Sequence, residues 1–252
     1  MLFLYVVPTT DHTMNTEIFA TRREMGLAAG SAAADFLRRT LLEQETARVI
    51  FAAAPSQNET LATLREAEGI DWSRVVAFHM DEYIGLAVAA PQRFSTFLKE
   101  RLFDRLPFRM AHLIEPEGPD PLEGYERLLK AAPIDLVCLG IGENGHIAFN
   151  DPPVANFADP VWVKIVDLDD ACRRQQVNDG CFPTFDAVPK HAMTLTIPAL
   201  LAGKRLICSV PGPTKRQAVI RTLNDPISTE CPATILRNHE ACTLFLDKDS
   251  AP

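Results

Sequence analysis

The sequence contains no long apolar run and no cluster of basic residues. No apolar stretch of the 252 residues approaches the roughly 18 that a membrane-spanning helix needs, so a membrane protein is not expected. Lysine and arginine total 25 against 33 aspartates and glutamates, which gives a net charge of −8. Without a basic run, the sequence offers no positively charged surface for the phosphates of a nucleic acid, so nucleic acid is not an expected partner. The net charge does not exclude a small anionic substrate, because the charge at a binding site can be opposite in sign to the net charge of the protein.

The six cysteines form no C-x-x-C pair. Cys138 and Cys208 lie in apolar, strand-like runs, where a reduced thiol behaves as a small hydrophobic residue. The pattern predicts neither a zinc site nor a disulfide framework, and it is typical of a protein of the reducing cytoplasm.

Apolar residues make up 47% of the sequence and charged residues 23%, which excludes a disordered chain and a disulfide-stabilised miniprotein. The length suits one α/β domain with a sizeable core. We expect this domain to span residues 14–252. Residues 1–13 are interpreted as an extension from an upstream start, because Met14 offers a second start and residues 1–16 fit poorly with the rest of the chain.

Strand-like apolar runs alternate with helical periodicity along nearly the whole chain. Strands are predicted at residues 47–54, 75–78, 112–114, 134–139, 161–168, 192–195, 205–208 and 242–246. Helices are predicted at residues 22–43, 59–68, 92–106, 121–131, 170–178, 198–201 and 215–223. The alternation predicts an α/β fold: a doubly wound, mostly parallel sheet with helices on both faces. In the first helix, the small residues Gly26, Ala29 and Gly30 would let a neighbouring backbone approach closely.

Four loops that come after predicted strands should face one crevice, since ligands of open α/β sheets bind outside the carboxyl ends of the strands. These loops contain residues 56–57, 79–83, 140–146 and 211–215. The third matches the glycine fingerprint of dinucleotide-binding folds. That fingerprint needs a long helix directly afterwards, and Pro152 and Pro153 interrupt it, so a nicotinamide site is rejected.

Charged side chains in and near these loops are candidates for chemistry. Asp81 and Glu82 form an acidic pair for which two interpretations remain open: a solvated turn, or a general base whose pKa is raised by partial burial. His146 is either a hydrogen-bonded surface residue or an acid–base group that Asp151 could orient. Lys215, which opens a helix after a Pro-Gly-Pro turn, is either solvated or a phosphate ligand.

Arg173 and Arg174 begin the polar helix predicted at residues 170–178. One guanidinium group could form a bidentate hydrogen bond with a phosphate, although paired arginines on such a helix are more often solvated.

Two segments of the sequence are recognisable. The run Phe78-His-Met-Asp-Glu-Tyr-Ile-Gly-Leu86, followed by Leu139-Gly-Ile-Gly-Glu-Asn-Gly-His-Ile-Ala-Phe-Asn-Asp-Pro152, resembles the glucosamine-6-phosphate deaminase (isomerase) family, which has the NagB-like, modified Rossmann fold. Residues 188–195 and 212–215 resemble that family in the right order. The related 6-phosphogluconolactonases share the Gly-x-Gly-Glu-x-Gly-His core but, as a rule, neither Met-Asp-Glu-Tyr nor Ile-Ala-Phe-Asn.

The resemblance implies a reaction that uses neither a metal nor an organic cofactor. Glucosamine 6-phosphate is opened from its ring form, isomerised from aldose to ketose, and loses ammonia to give fructose 6-phosphate. By the match, Asp81 moves a proton between C2 and C1, and His146 relays the ring-opening proton with Asn144 and Asp151 in its set. The implied contacts of the substrate or its phosphate are Ser56, Gln57, Glu82, Gly145, Arg173 and Lys215.

Three positions depart from the family pattern. Asn144 stands where the family usually has aspartate, so it can fix the tautomer of His146 by a hydrogen bond but carries no charge. Asp151 replaces the usual glutamate and keeps the charge with one methylene less reach. Residues 54–59 replace the usual Thr-Gly-Ser-Thr-Pro phosphate loop, which is compatible with a different sugar phosphate.

Two other functions remain open at this point. A sugar-phosphate lactonase would use His146 to activate water and would not need Asp81. A non-catalytic sugar-phosphate sensor is compatible with Asn144 and the altered phosphate loop. The sequence determines neither the sugar epimer nor the oligomeric state, and a homo-oligomer is compatible with it.

Overall fold

A computed structural model describes residues 14–252, and the predicted extension over residues 1–13 lies outside the described residues. Within them, a seven-stranded sheet forms the centre of the molecule, and all of its neighbouring strands run parallel. Its strands are β1 (Asn15–Phe19), β2 (Ala47–Phe51), β3 (Val75–His79), β5 (Met110–His112), β6 (Leu136–Leu139), β9 (Arg205–Val210) and β10 (Cys242–Asp247). Their order is β1-β10-β9-β6-β2-β3-β5.

This strand order places a switch point between β6 and β2. From β2 the chain builds outward through β3 and β5, whereas β6, β9 and β10 lie on the other side. Loops at the carboxyl ends of β2 and β6 therefore diverge and leave a crevice, the usual position of a ligand in such sheets.

A second sheet of three antiparallel strands was not expected from the sequence. Its strands are β4 (Asp81–Tyr83), β7 (Val163–Asp167) and β8 (His191–Leu195), in the order β4-β8-β7. The prediction of a loop over residues 79–83 was wrong, because a three-residue strand is too short to show alternation. The sequence also predicts no strand before residue 47, but residues 15 and 16 open β1 at the exposed edge of the main sheet.

Helices cover both faces of the main sheet, as predicted. They are α1 (Arg22–Glu43), α2 (Asn58–Glu66), α3 (Phe94–Leu98), α4 (Pro121–Lys130), α5 (Asp170–Asn178), α6 (Ile197–Leu201) and α7 (Arg216–Asn224). The helix predicted over residues 92–106 is shorter, since α3 widens into a π-helical turn over Lys99–Phe103. No helix in the described part of the chain is both long and apolar enough to cross a membrane.

Side chains of the central strand β2 alternate between two hydrophobic clusters. Val49 and Phe51 pack with α1 and α2 on one face, whereas Ile50 packs with α4, α6 and α7 on the other. Each of these side chains is fully buried. The doubly wound prediction is thereby confirmed, because helices cover both faces of this strand.

Two glycines of α1 allow α2 to lie against it. A Cβ atom at Gly26 would lie 2.2 Å from the Cβ of Glu59, and one at Gly30 would lie 2.6 Å from the Cβ of Thr63. The predicted close approach is therefore confirmed. It matters for the crevice, because α2 follows directly on the turn that carries residues 56 and 57.

Candidate active site

The loops after β2, β3, β6 and β9 meet at one cleft. The prediction that they share a crevice is confirmed. Five of the sequence-predicted site residues line the cleft: Ser56, Gln57, Asp81, His146 and Lys215.

Asp81 stands where the chain leaves the parallel sheet and enters the antiparallel one. It is 7% exposed, which excludes the solvated turn that the sequence left open. Among the described residues, none donates a hydrogen bond to its carboxylate. Burial, and then the charge of Glu82, raise the pKa of Asp81 well above its usual range. A carboxylate with a raised pKa in a cleft is suited to accept a proton near neutral pH.

His146 is held by a compact network of hydrogen bonds. Its Nδ1 lies 2.8 Å from Oδ1 of Asn144 and 2.9 Å from Oδ1 of Asp151. Both atoms act as acceptors, so Nδ1 carries the proton and Nε2 is left to accept one. Asn144 also donates from Nδ2 to Oδ1 of Asp151 at 2.8 Å. The amide therefore fixes the imidazole tautomer and links it to the carboxylate, as its position in the sequence predicted.

Asp151 is the charged member of this network. It has no exposed surface, and burial alone would raise its pKa. The charge of His146 and the hydrogen bonds from His146 and Asn144 outweigh burial and lower the pKa of Asp151. The carboxylate thus stays ionised and would stabilise an imidazolium formed at His146.

Two glycines of the turn over residues 140–146 are needed for packing. A Cβ at Gly142 would lie 2.1 to 2.4 Å from three atoms of the His146 ring, so only glycine lets the imidazole lie against the turn. Gly145 has a φ of +88°, and a Cβ there would lie 2.5 Å from Sγ of Cys231. Gly145 is not among the residues that line the cleft; it shapes the turn, and its implied contact with substrate stays a prediction.

Polar groups that suit an anion gather where α2 and α7 begin. Lys215 directly precedes α7 and is 5% exposed. Burial lowers the pKa of Lys215, opposed by the charges of Asp179 and Glu143. Ser56, in the turn before α2, accepts a hydrogen bond of 3.3 Å from Nε2 of Gln57. A buried ammonium group where two helices begin is a favourable setting for a phosphate.

Glu82, which the resemblance implied as a substrate contact, does not line the cleft. Its carboxylate accepts hydrogen bonds from the backbone N–H groups of Tyr83 (3.0 Å), Phe94 (3.1 Å) and Ser95 (3.0 Å). Nε of Arg93 lies 3.3 Å away and completes a fully buried ion pair. Glu82 therefore fixes the start of α3 relative to β4, because its lone pairs are taken by protein donors.

Arg173, implied as a phosphate ligand, also lies outside the cleft lining. Its guanidinium donates to the backbone oxygens of Phe185 and Val188, both at 3.0 Å. It also stacks on the ring of Phe185 at 3.9 Å. The side chain thus holds the segment before β8 against α5.

Sequence reasoning missed two glutamines of α5 that line the cleft, Gln175 and Gln176. Gln175 accepts a hydrogen bond of 2.7 Å from the backbone N–H of Glu143, which ties α5 to the turn over residues 140–146. Helical spacing alone could not find them, because a polar helix shows no apolar stripe that would mark its buried side.

Three potential metal-ligand atoms, one each from His146, Asp151 and Cys172, lie within 4.8 Å of one another. His146 and Asp151 already share a hydrogen bond within this group. A cation would have to displace the Nδ1 proton, so the arrangement is better suited to moving a proton than to holding a metal.

Comparisons with known proteins place the chain in a family. A family model described as "Glucosamine-6-phosphate isomerases/6-phosphogluconolactonase" matches residues 20–245. A glucosamine-6-phosphate deaminase of Listeria monocytogenes is 32% identical over 231 residues, which cover 90% of this chain and 96% of the relative. Another, of an Exiguobacterium species, is 36% identical over 73% of this chain and 72% of its own length.

A solved structure of a monomeric glucosamine-6-phosphate deaminase superposes with a TM-score of 0.85 and 27% identity, covering 94% of this chain and 98% of that one. The family match extends from the start of α1 almost to the end of β10 and includes every cleft residue. The chain belongs to the glucosamine-6-phosphate isomerase/6-phosphogluconolactonase family.

Proposed function

We propose that this protein is an amino-sugar-phosphate deaminase/isomerase that converts glucosamine 6-phosphate and water to fructose 6-phosphate and ammonia. The observation that carries the proposal is the meeting of a carboxylate of raised pKa, Asp81, with His146 and Lys215 around one cleft. The relatives that bear the name glucosamine-6-phosphate deaminase support this choice of substrate.

The sugar phosphate is held by its anionic end. Lys215 pairs with the phosphate, and the hydroxyl of Ser56 donates a hydrogen bond to it. This anchoring leaves the sugar extended along the cleft between His146 and Asp81.

Ring opening is assigned to His146. Its Nε2 accepts the proton of the anomeric hydroxyl group, and the imidazolium then protonates the ring oxygen as the C1–O5 bond breaks. Asp151 stabilises the imidazolium through Nδ1, and Asn144 keeps that nitrogen protonated throughout.

Isomerisation is assigned to Asp81. Its carboxylate removes the proton from C2 of the open aldose, and the substrate's own C2 ammonium group gives one proton to the aldehyde oxygen, which yields an enolamine. Asp81 then returns its proton to C1, which leaves a protonated imine at C2. Water adds to this carbon and ammonia leaves, giving the ketose phosphate.

The experiment supplies glucosamine 6-phosphate and measures ammonia and fructose 6-phosphate, which should appear in equal amounts. Asp81→Asn should abolish turnover and exchange of the C2 proton with solvent, while the substrate still raises the melting temperature of the variant. Lys215→Met is the control for binding, and it should raise KM far more than it lowers kcat.

The same variants separate the alternatives. A lactonase would hydrolyse 6-phosphogluconolactone and keep that activity in Asp81→Asn, because water activation needs only His146. A sensor would show a shift in melting temperature with sugar phosphates but no turnover of any amino-hexose phosphate. Either result would overturn the proposed reaction.

We also propose a cytoplasmic location for the enzyme. All six cysteines are free thiols, and five of them are buried, which is in keeping with a reducing compartment.

A further inference from the structure

His79 ends β3 and has no exposed surface. Its Nε2 accepts a hydrogen bond of 2.8 Å from the backbone N–H of Ile114. Since Nε2 is an acceptor, the proton of the neutral ring is on Nδ1, which donates to the backbone oxygen of Asp81 at 2.9 Å. One imidazole therefore joins the end of β3, the start of β4 and the segment after β5.

The imidazole spans the corner at which the chain changes sheets. Met80 lies between β3 in the parallel sheet and β4 in the antiparallel one, and its backbone oxygen accepts a hydrogen bond of 2.7 Å from Leu195. Asp81 pairs with Thr194 on β8. The bonds from β8 hold one side of the corner, and the ring of His79 holds the other.

A separate group fixes the backbone of His79. The hydroxyl of Tyr125 donates to the backbone oxygen of His79 at 2.8 Å and accepts from its N–H at 3.0 Å. The imidazole of His79 is therefore not needed to hold its own strand, and both of its nitrogens form hydrogen bonds to other segments of the chain.

We propose that His79 is a positioning residue for Asp81, which it holds in reach of the substrate by the hydrogen bond from its Nδ1 to the backbone oxygen of Asp81. The proposal rests on the proposed function of Asp81 as the base. Only a neutral imidazole can donate at one nitrogen and accept at the other. Burial lowers the pKa of His79 to about 4, against opposing effects of Glu82 and the Asp81 carbonyl, and Arg93 lowers it further.

Two amide variants separate the hydrogen bond to Asp81 from the hydrogen bond to Ile114. The side-chain nitrogen of His79→Asn can occupy the position of Nδ1 and donate to Asp81, but the side chain is too short to reach Ile114. The longer side chain of His79→Gln can reach Ile114 with its oxygen, but it offers no donor at the Nδ1 position. Each variant thus keeps one of the two hydrogen bonds, so both should lower the melting temperature by similar amounts.

A positioning role predicts unequal kinetics for this pair. His79→Gln should lower kcat by about 10- to 100-fold with little change in KM, because a displacement of about 1 Å at a reacting group costs up to about 100-fold. His79→Asn should stay within about threefold of the wild type. Tyr125→Phe is the matched control. It removes the two hydrogen bonds of the hydroxyl to the backbone of His79 and a third to the backbone oxygen of His112, leaves the contacts of the imidazole in place, and should keep kcat.

Equal losses of kcat in both amide variants, following their losses in melting temperature, would overturn the inference. Crystal structures of the variants test it without turnover: Asp81 should move by more than about 0.5 Å in His79→Gln and stay in place in His79→Asn. An inactive wild type would refute the proposed function, and these structures would still decide the role of His79.

Discussion

Substitution of Gly142 by alanine tests how tightly the turn over residues 140–146 positions His146. An alanine Cβ would lie 2.1 Å from Cε1, 2.3 Å from Nε2 and 2.4 Å from Nδ1 of the imidazole. Non-bonded carbon and nitrogen atoms rarely approach within about 3.4 Å, so the ring must retreat by about 1 Å or more. The only alternative is a shift of the turn itself.

The ring cannot retreat without losing its partners. Its Nδ1 is 2.8 Å from Asn144 and 2.9 Å from Asp151, so a movement of that size stretches both contacts beyond hydrogen-bonding distance. We expect Gly142→Ala to lower kcat by about 100-fold, since a misplacement of about 1 Å can cost that much. Overpacking of the turn should lower the free energy of unfolding by about 1–3 kcal/mol.

The assays are steady-state release of ammonia and unfolding in urea. Gly124→Ala is the matched control, because Gly124 lies within α4 and a Cβ there has its nearest neighbour at 3.4 Å, on Asp120. This control should raise the free energy of unfolding by about 0.5–1 kcal/mol and leave kcat unchanged. The reasoning is refuted if Gly142→Ala keeps kcat within about threefold, or if its crystal structure shows the imidazole unmoved.

Titratable groups in and near the cleft give three further predictions. Burial and the charge of Glu82 raise the pKa of Asp81, so its ionisation destabilises the folded state as the pH rises above 3.8, the ordinary pKa of aspartate. Asp81→Asn should therefore raise the free energy of unfolding at pH 7. An unchanged free energy of unfolding in urea would contradict this prediction. The pKa of His79 is lowered from 6.5 to about 4, so the unfolded chain takes up the proton first and stability should fall by about 3 kcal/mol from pH 6.5 to 4. This part of the pH dependence should vanish in His79→Asn, and an unchanged slope would argue against it. Asn144→Asp replaces the donor to Asp151 with a second carboxylate, and calorimetry should show a lower melting temperature at pH 7 that recovers as the pH is lowered.

Several regular elements could be predicted closely from the sequence. The helices predicted at residues 22–43 and 170–178 have those bounds in the structure. The strand predicted at 134–139 forms from residue 136, and it is fully buried, as its unbroken apolar run indicated. Periodicity and burial are local properties of the chain, which is why they can be read without knowledge of the fold.

The site residues that could be predicted from the sequence are those that come directly after a parallel strand. Asp81, His146 and Lys215 come after different strands, and the common polarity of those strands brings them to one edge of the sheet. The implied roles of Glu82 and Arg173 in binding substrate have no counterpart in the cleft lining. Glu82 instead accepts hydrogen bonds from backbone amides at the start of α3, and Arg173 donates to backbone oxygens before β8. Only the folded structure brings these partners together.

The sequence by itself determined the layered α/β architecture and the edge at which the cleft opens, because apolar periodicity sets the elements and parallel strands share one polarity. Only the tertiary structure decided which member of the pair Asp81 and Glu82 faces the cleft. Both belong to β4, and successive side chains of a strand point to opposite faces, so one carboxylate enters the cleft and its neighbour turns to the start of α3. A strand of three residues forms only through its pairing with β8, more than a hundred residues later, and no local pattern of the sequence could reveal it.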